Sequence, residues 1–145
     1  MKASLAAGAS ATARIVVDRE RTIDFMGEKA RVYATPMLVR DVEIAARDLI
    51  GRHLDAGEDT VGIRIELDHL AATLLGMPVE LTINVAAVEG RVVTVDFEGR
   101  DSVDVICRGR HRRFVVDVAA TQARLAAKAA KAAQAASPDR AAQQG

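Results

Sequence analysis

Cysteine and aromatic residues are scarce in this sequence, which has one Cys, no Trp, one Tyr and three Phe. The lone Cys107 excludes an internal disulfide and any cysteine cluster around a metal, and it reads as a small core residue in a reducing, cytoplasmic setting. Phe25, Tyr33, Phe97 and Phe114 are too few to build a platform for stacking bases. Neither sign of charge is in excess: 20 basic and 20 acidic residues cancel, which removes the uniformly basic footprint of a nucleic-acid binder. Long apolar runs are missing too, since none approaches the ~20 residues that span a bilayer. The expected partners therefore include neither nucleic acid nor membrane, and no residue cluster calls for a metal or cofactor.

What is present is enough apolar material, 50% of 145 residues, for one core. The chain divides into three zones. Residues 1–13 form a small-residue arm that reads as flexible, and residues 14–118 form the folded domain. Residues 119–145 are Ala-rich, with Leu125 as the single large apolar side chain, and are expected to form a weakly docked helix ending before Pro138. The basic residues of this tail read as a solvated helix face or as a contact for an anionic partner.

Within the domain, residues 36–54 have a helical period, with Thr35 as expected N-cap and Pro36 at the favoured first position. Leu38, Val42, Ala45, Ala46, Leu49 and His53 share one face of it. The period then changes to two. Val61, Ile63, Ile65, Leu67 and His69 alternate with polar residues, as do Val79, Leu81, Ile83 and Val85, and Glu89-Gly90 reads as a hairpin turn. With a strand near Ile15, this gives an α+β protein of about five antiparallel strands and one long central helix. Open edges on a sheet this small call for a second copy, so a homodimer or dimer of dimers is expected.

Three residues stand out for chemistry. His69 ends an apolar strand face, as a core histidine with one hydrogen bond or as a proton-transfer group. Glu43 borders the apolar arc of the helix, where partial desolvation favours general acid–base work, or it pairs with Arg47 at i+4. Thr35 is an ordinary cap, or it holds a carbonyl oxygen beside the free amides of the helix start. Eight residues of helix set Thr35 and Glu43 roughly 12 Å apart along the axis, so a substrate or water must lie between them. Arg108, Arg110 and Arg112 form a stripe on the last strand, either a solvated face or a hold for nucleotide phosphates.

These residues lie in stretches that resemble the fluoroacetyl-CoA thioesterase family of the hot-dog superfamily. Val32-Tyr33-Ala34-Thr35-Pro36-Met37 with Glu43 is similar to its helix-start motif. Val61-Gly62 with Leu67-Asp68-His69-Leu70-Ala71-Ala72-Thr73 and Gly76 is similar to its histidine strand. Gly109-Arg110-His111-Arg112-Arg113 is similar to its G-x-H-x-R pattern. The resemblance, over roughly residues 14–118, implies a hot-dog sheet wrapped around the helix and acyl-CoA thioester hydrolysis. It also implies catalytic roles for Thr35, Glu43 and His69, with Gly62 and Arg113 near the substrate. The family's aromatic-rich lid has a shorter, charged counterpart here in residues 18–31, with Phe25 as its one aromatic. That departure points away from fluoroacetate and towards another short- or medium-chain acyl group. The alternative is a non-catalytic module that senses acyl-CoA. A hydratase ranks last, because its Asp-x-Asn-Pro-x-His signature is absent.

Overall fold

The computed structural model describes residues 1–143. The chain runs through β1 (Ser10–Val16), a short ribbon of β2 (Thr22–Ile23) and β3 (Val32–Tyr33), and helix α1 (Thr35–Gly51). The long strands β4 (Glu58–His69), β5 (Pro78–Glu89), β6 (Val92–Arg100) and β7 (Val105–Asp117) follow, and then helix α2 (Val118–Gln143). The main sheet is antiparallel in the order β1-β5-β6-β7-β4. Only β5, β6 and β7 form a meander. β4 joins on the far side of β7 and leaves its other edge open.

The sheet closes over α1 because both present matched apolar faces. Leu38, Val42, Ala45, Ala46, Leu49 and Ile50 of α1 are buried, as expected from the helical period. They meet Val79, Leu81, Ile83 and Val85 of β5, and Val93, Val95 and Phe97 of β6. Each Val, Leu, Ile or Phe among them contributes about 1.5–3 kcal/mol when fully buried. This is the hot-dog arrangement. The helix stops at Gly51, ahead of the expected end, and His53 beyond it bonds Ser4 Oγ at 2.9 Å.

Several expectations need correction. The N-terminal segment is no free arm: Leu5 lies in the core, Lys2 N–H donates to the His53 carbonyl at 2.9 Å, and β1 already begins at Ser10. Leu5 and Met1 on the core, with the N-terminal ammonium paired to Asp55 and Glu58, anchor a stretch that composition made look loose. The residues from Val61 to His69 do not share one face. A β-bulge between Gly62 and Arg64 adds a residue and exchanges the two sides. Thr60 and Gly62 therefore face inward before the bulge, and Ile65, Leu67 and His69 after it, while Val61 turns out beside Phe114. α2 starts on Asp117, whose carboxylate accepts from Ala120 N–H at 2.8 Å, and its backbone continues through Pro138 instead of ending there. The alanine-rich run before Pro138, of high helix propensity, is what carries the helix to it. Among the described residues, no helix is long and apolar enough to cross a membrane.

Candidate functional site

Thr35 and His69 meet where the start of α1 passes the end of β4. Ala34, not Thr35, is the N-cap, with extended backbone (φ −74°, ψ 134°), and Thr35 opens the first turn ahead of Pro36. Its hydroxyl is thereby free of capping and lies 2.8 Å from His69 Nδ1. The loop after His69 is pinned on three sides. Leu70 N–H donates to the Ile106 carbonyl at 2.7 Å, Tyr33 N–H to the Thr73 carbonyl at 2.8 Å, and Thr73 Oγ1 to Asp101 at 3.0 Å. His69 Nε2 is buried without a hydrogen-bond partner among the described residues. Burial lowers the His69 pKa below its ordinary value, with the Ala71 backbone opposing. A cavity of about 650 Å³ adjoins the pair, lined by Ile23, Phe25, Val32, Leu70 and Ala71. Tyr33 also borders it, but its hydroxyl is taken by buried Asp41, which Arg21 Nε holds at 2.9 Å. Thr35 and His69 are therefore the polar side chains this cavity offers to a ligand.

Glu43 belongs to a second cluster. It does not pair with Arg47, which instead holds Asp59 through bonds of 3.0 and 2.6 Å. Glu43 Oε2 faces Arg113 Nη1 at 3.4 Å, with its side chain 46% exposed, so it is less desolvated than the helical pattern suggested. Arg113 is buried and donates to Thr60 Oγ1 at 2.7 Å and to the Thr60 carbonyl at 2.8 Å. Burial lowers its pKa, and attraction to Glu43 opposes that shift. Gly62 makes the approach possible: a Cβ there would lie 3.2 Å from both Glu43 Oε1 and His111 Cε1, and 3.4 Å from Arg113 Nη1.

The structure thus joins Thr35 to His69, and Glu43 to Gly62 and Arg113, but does not join the two groups within one protomer. Glu43, Arg40, Arg47 and Arg113 line a separate cavity of about 340 Å³, and Pro36 borders both cavities. In the arginine stripe Arg108 and Arg110 are exposed and Arg112 is half-buried. Arg108 pairs with Glu98 at 3.1 Å and Arg110 with Asp96 at 2.8 Å, on the side of β7 opposite Arg113. His111 and Thr60 were missed as site residues. His111 was legible, since a period of two aligns it with Gly109 and Arg113, away from Arg108, Arg110 and Arg112. Thr60 was not, because the bulge hides its face.

With this geometry in place, three comparisons bear on the chain. The profile of the family described as fluoroacetyl-CoA-specific thioesterase matches residues 17–119. The fluoroacetyl-CoA thioesterase of Streptantibioticus cattleyicolor is 31% identical over 80% of this chain and 88% of its own. Among solved structures, a Thermus thermophilus thioesterase superfamily member superposes with a TM-score of 0.80 at 30% identity, covering 90% of this chain and 97% of the other. A fluoroacetyl-CoA thioesterase does so with a TM-score of 0.77 at 29% identity, covering 84% and 96%. A hot-dog-like protein from Thermanaerovibrio acidaminovorans, 22% identical, shares the fold. The chain belongs to the fluoroacetyl-CoA-specific thioesterase family and is a thioesterase of the hot-dog fold.

Proposed function

We propose that the protein hydrolyses acyl-CoA thioesters carrying a short- or medium-chain apolar acyl group, as a cytoplasmic homodimer. The observation that carries this is the 2.8 Å contact of Thr35 with His69 beside an apolar cavity, a polar pair set against room for an acyl chain. Thr35 and the amides at the start of α1 hold the thioester carbonyl and stabilise its oxygen as negative charge develops there. Glu43 activates the water, or attacks the carbonyl carbon to give an anhydride that water then opens. His69 carries the proton to the departing CoA sulfur as the C–S bond breaks. A variant of the related fluoroacetyl-CoA thioesterase was crystallised with fluoroacetate and CoA, which supports a CoA thioester as the substrate here.

The dimer reading rests on β4. Among the described residues its outer edge has no partner strand, and Val61 and Ile63 beside it are exposed. Gly62, next to Glu43, and His69 lie on this same strand. Antiparallel pairing of two β4 edges draws Glu43 and Arg113 of one protomer towards Thr35 and His69 of the other, which completes the site.

Release of free thiol from a panel of acyl-CoAs tests the reading. The alternative, a non-catalytic acyl-CoA sensor, is favoured by the separation of Glu43 from Thr35 and His69 within a protomer. A sensor raises its melting temperature with acyl-CoA and releases no thiol.

A further inference from the structure

His111 is almost fully buried on β7, on the same face as Arg113. Its two ring nitrogens have opposite surroundings. Nδ1 lies 2.8 Å from the Arg64 carbonyl oxygen, which can only accept, so Nδ1 bears the proton. Nε2 lies 3.1 Å from Arg113 Nη1, which can only donate, so Nε2 presents a lone pair. The neighbours therefore select one neutral tautomer. The Arg64 carbonyl occupies this place because the β4 bulge falls between Gly62 and Arg64 and shifts the backbone register there.

Thr60 grips one edge of the Arg113 guanidinium, through Nε and Nη2, and leaves Nη1 to His111 and Glu43. The groups facing His111 are Arg113 from its own strand, Glu43 from α1, Gly62 and Ile65 from β4, and Val95 from β6. Glu43 and Arg113 are the charged members of that set. A second proton on His111 would remove the acceptor for Nη1 and place two cations 3.1 Å apart in a buried space.

We propose that His111 is a positioning residue: its neutral Nδ1–H form holds Arg113 Nη1 against Glu43 and so aims the Glu43 carboxylate, and its protonation releases that carboxylate. Desolvation favours the neutral ring in the same sense. The consequence for turnover rests on the thioesterase reading above; the consequence for Arg113 does not.

Two substitutions in the full chain separate the ring's two bonds. In His111→Gln the amide oxygen reaches the Nε2 position, so Arg113 keeps an acceptor that does not titrate. In His111→Asn the amide reaches only the Nδ1 position, so the bond to the Arg64 carbonyl survives and the acceptor is lost. With the acyl-CoA that gives the fastest thiol release, His111→Asn loses ~10–10²-fold in kcat at unchanged KM, the scale of a misplaced group. His111→Gln keeps kcat within about threefold, and its acid limb falls less steeply than that of the wild type, since the proton taken up by His111 no longer contributes. The guanidinium proton signals of Arg113, read by nitrogen-edited NMR without substrate, stay sharp in His111→Gln and broaden on acidification of the wild type. His111→Asn at wild-type kcat, or His111→Gln as impaired as His111→Asn, overturns the proposal. If His111→Asn does not fold, the slope and the Arg113 signals of His111→Gln decide. If the wild type releases no thiol from any acyl-CoA, the thioesterase reading fails, and pH-independent Arg113 signals in the wild type overturn this inference separately.

Discussion

Thr35 and His69 are 34 residues apart in sequence and share a 2.8 Å hydrogen bond between Oγ1 and Nδ1. That bond exists because Ala34 takes the capping position and leaves the threonine hydroxyl unclaimed. When the neutral ring carries its proton on Nε2, the hydroxyl donates to Nδ1. When the proton sits on Nδ1, the buried Nε2 presents a bare lone pair. Either form suits proton transfer at a carbonyl held in the neighbouring cavity.

Replacing His69 tests this pair most directly. His69→Gln remains folded and binds CoA, while kcat falls by ~10²–10⁴-fold, the usual share of general acid–base catalysis. Thr35→Ala loses less, because the amides at the helix start still contact the carbonyl oxygen. The double variant loses less than the product of the two single losses, since one hydrogen bond cannot be lost twice. Steady-state kinetics on the best acyl-CoA check all three, and a folded His69→Gln protein with wild-type turnover removes the residue from the site.

Much of this was legible before the structure. The period of α1 identified its buried face, and the residues of β5 alternated as observed. Thr35, Glu43 and His69 stand out in the sequence, but their residues alone are equally read as a cap, a surface carboxylate and a core histidine, and it is the resemblance that implies catalytic roles. The bulge at Ile63 was not legible, because a strict alternation from Val61 to His69 is the simplest reading of those residues and hides an inserted one. It matters functionally: without the bulge, Gly62 would not lie under Glu43. The Asp41 network was equally hidden, since a carboxylate beside an apolar helix face is normally read as solvent-facing until Tyr33 and Arg21 are seen to enclose it.

Acid should affect the protein in a defined window. Burial lowers the pKa of both His69 and His111 from the ordinary 6.5. As pH falls through ~6.5 the unfolded chain takes up these protons while the folded chain still refuses them. The stability due to the neutral rings is complete above ~6.5 and is lost as pH falls through the lowered folded values. Asp59 and Glu66, held low by arginine partners, titrate further down and leave this window to the histidines. The acid limb of kcat/KM accordingly lies below 6.5, and melting temperature declines over the same range. An acid limb at or above 6.5 contradicts the burial of the working imidazole.

The segment beside the cavity should set acyl preference. Phe25 and Met26 at its tip are 79% exposed and leave the apolar cavity open. Fluoroacetyl-CoA and acetyl-CoA are then hydrolysed with efficiencies within ~10²-fold, a difference of under about 2.7 kcal/mol in transition-state binding. Lengthening the acyl chain raises kcat/KM by about fourfold per methylene while the chain still fits, from ~0.8 kcal/mol per buried CH₂. A competition series from acetyl to octanoyl measures both, and a flat or falling series rules out the cavity as the acyl site.

The open edge of β4 yields a prediction about assembly. Light scattering at micromolar concentration should give a dimer or a dimer of dimers. Ile63→Lys, at an exposed position beside that edge, should weaken association by ~10²-fold or more through burial of an unpaired charge. Thiol release should fall with the dimer fraction if the proposed pairing is what brings Glu43 to Thr35 and His69. A stable wild-type monomer with full activity would overturn this reading.

Two glycines on neighbouring strands should respond differently to the same methyl group. At Gly62 an added Cβ meets only the ends of side chains, Glu43 Oε1 and His111 Cε1 at 3.2 Å and Arg113 Nη1 at 3.4 Å. The half-exposed Glu43 carboxylate can yield by a few tenths of an ångström, so Gly62→Ala costs less stability than a clash with backbone does. The displaced carboxylate is the one assigned to catalysis, however, and a shift of this kind costs kcat on the order of 10–10²-fold. At Gly109 an added Cβ would fall 1.9 Å from the Glu66 carbonyl oxygen and 2.6 Å from Phe97 Cζ. Backbone on a paired strand cannot retreat as a side chain can, so Gly109→Ala forces β4 away from β7 and costs about 3 kcal/mol or more. Its residual activity per folded molecule should nevertheless exceed that of Gly62→Ala, because Gly109 pairs with Leu67 and touches none of the polar groups. Denaturant titration and kcat measured on the same preparations separate the two effects. Equal losses of stability at both positions, with equal activity, would mean that Gly62 is conformational and that Glu43 is not held where the structure places it.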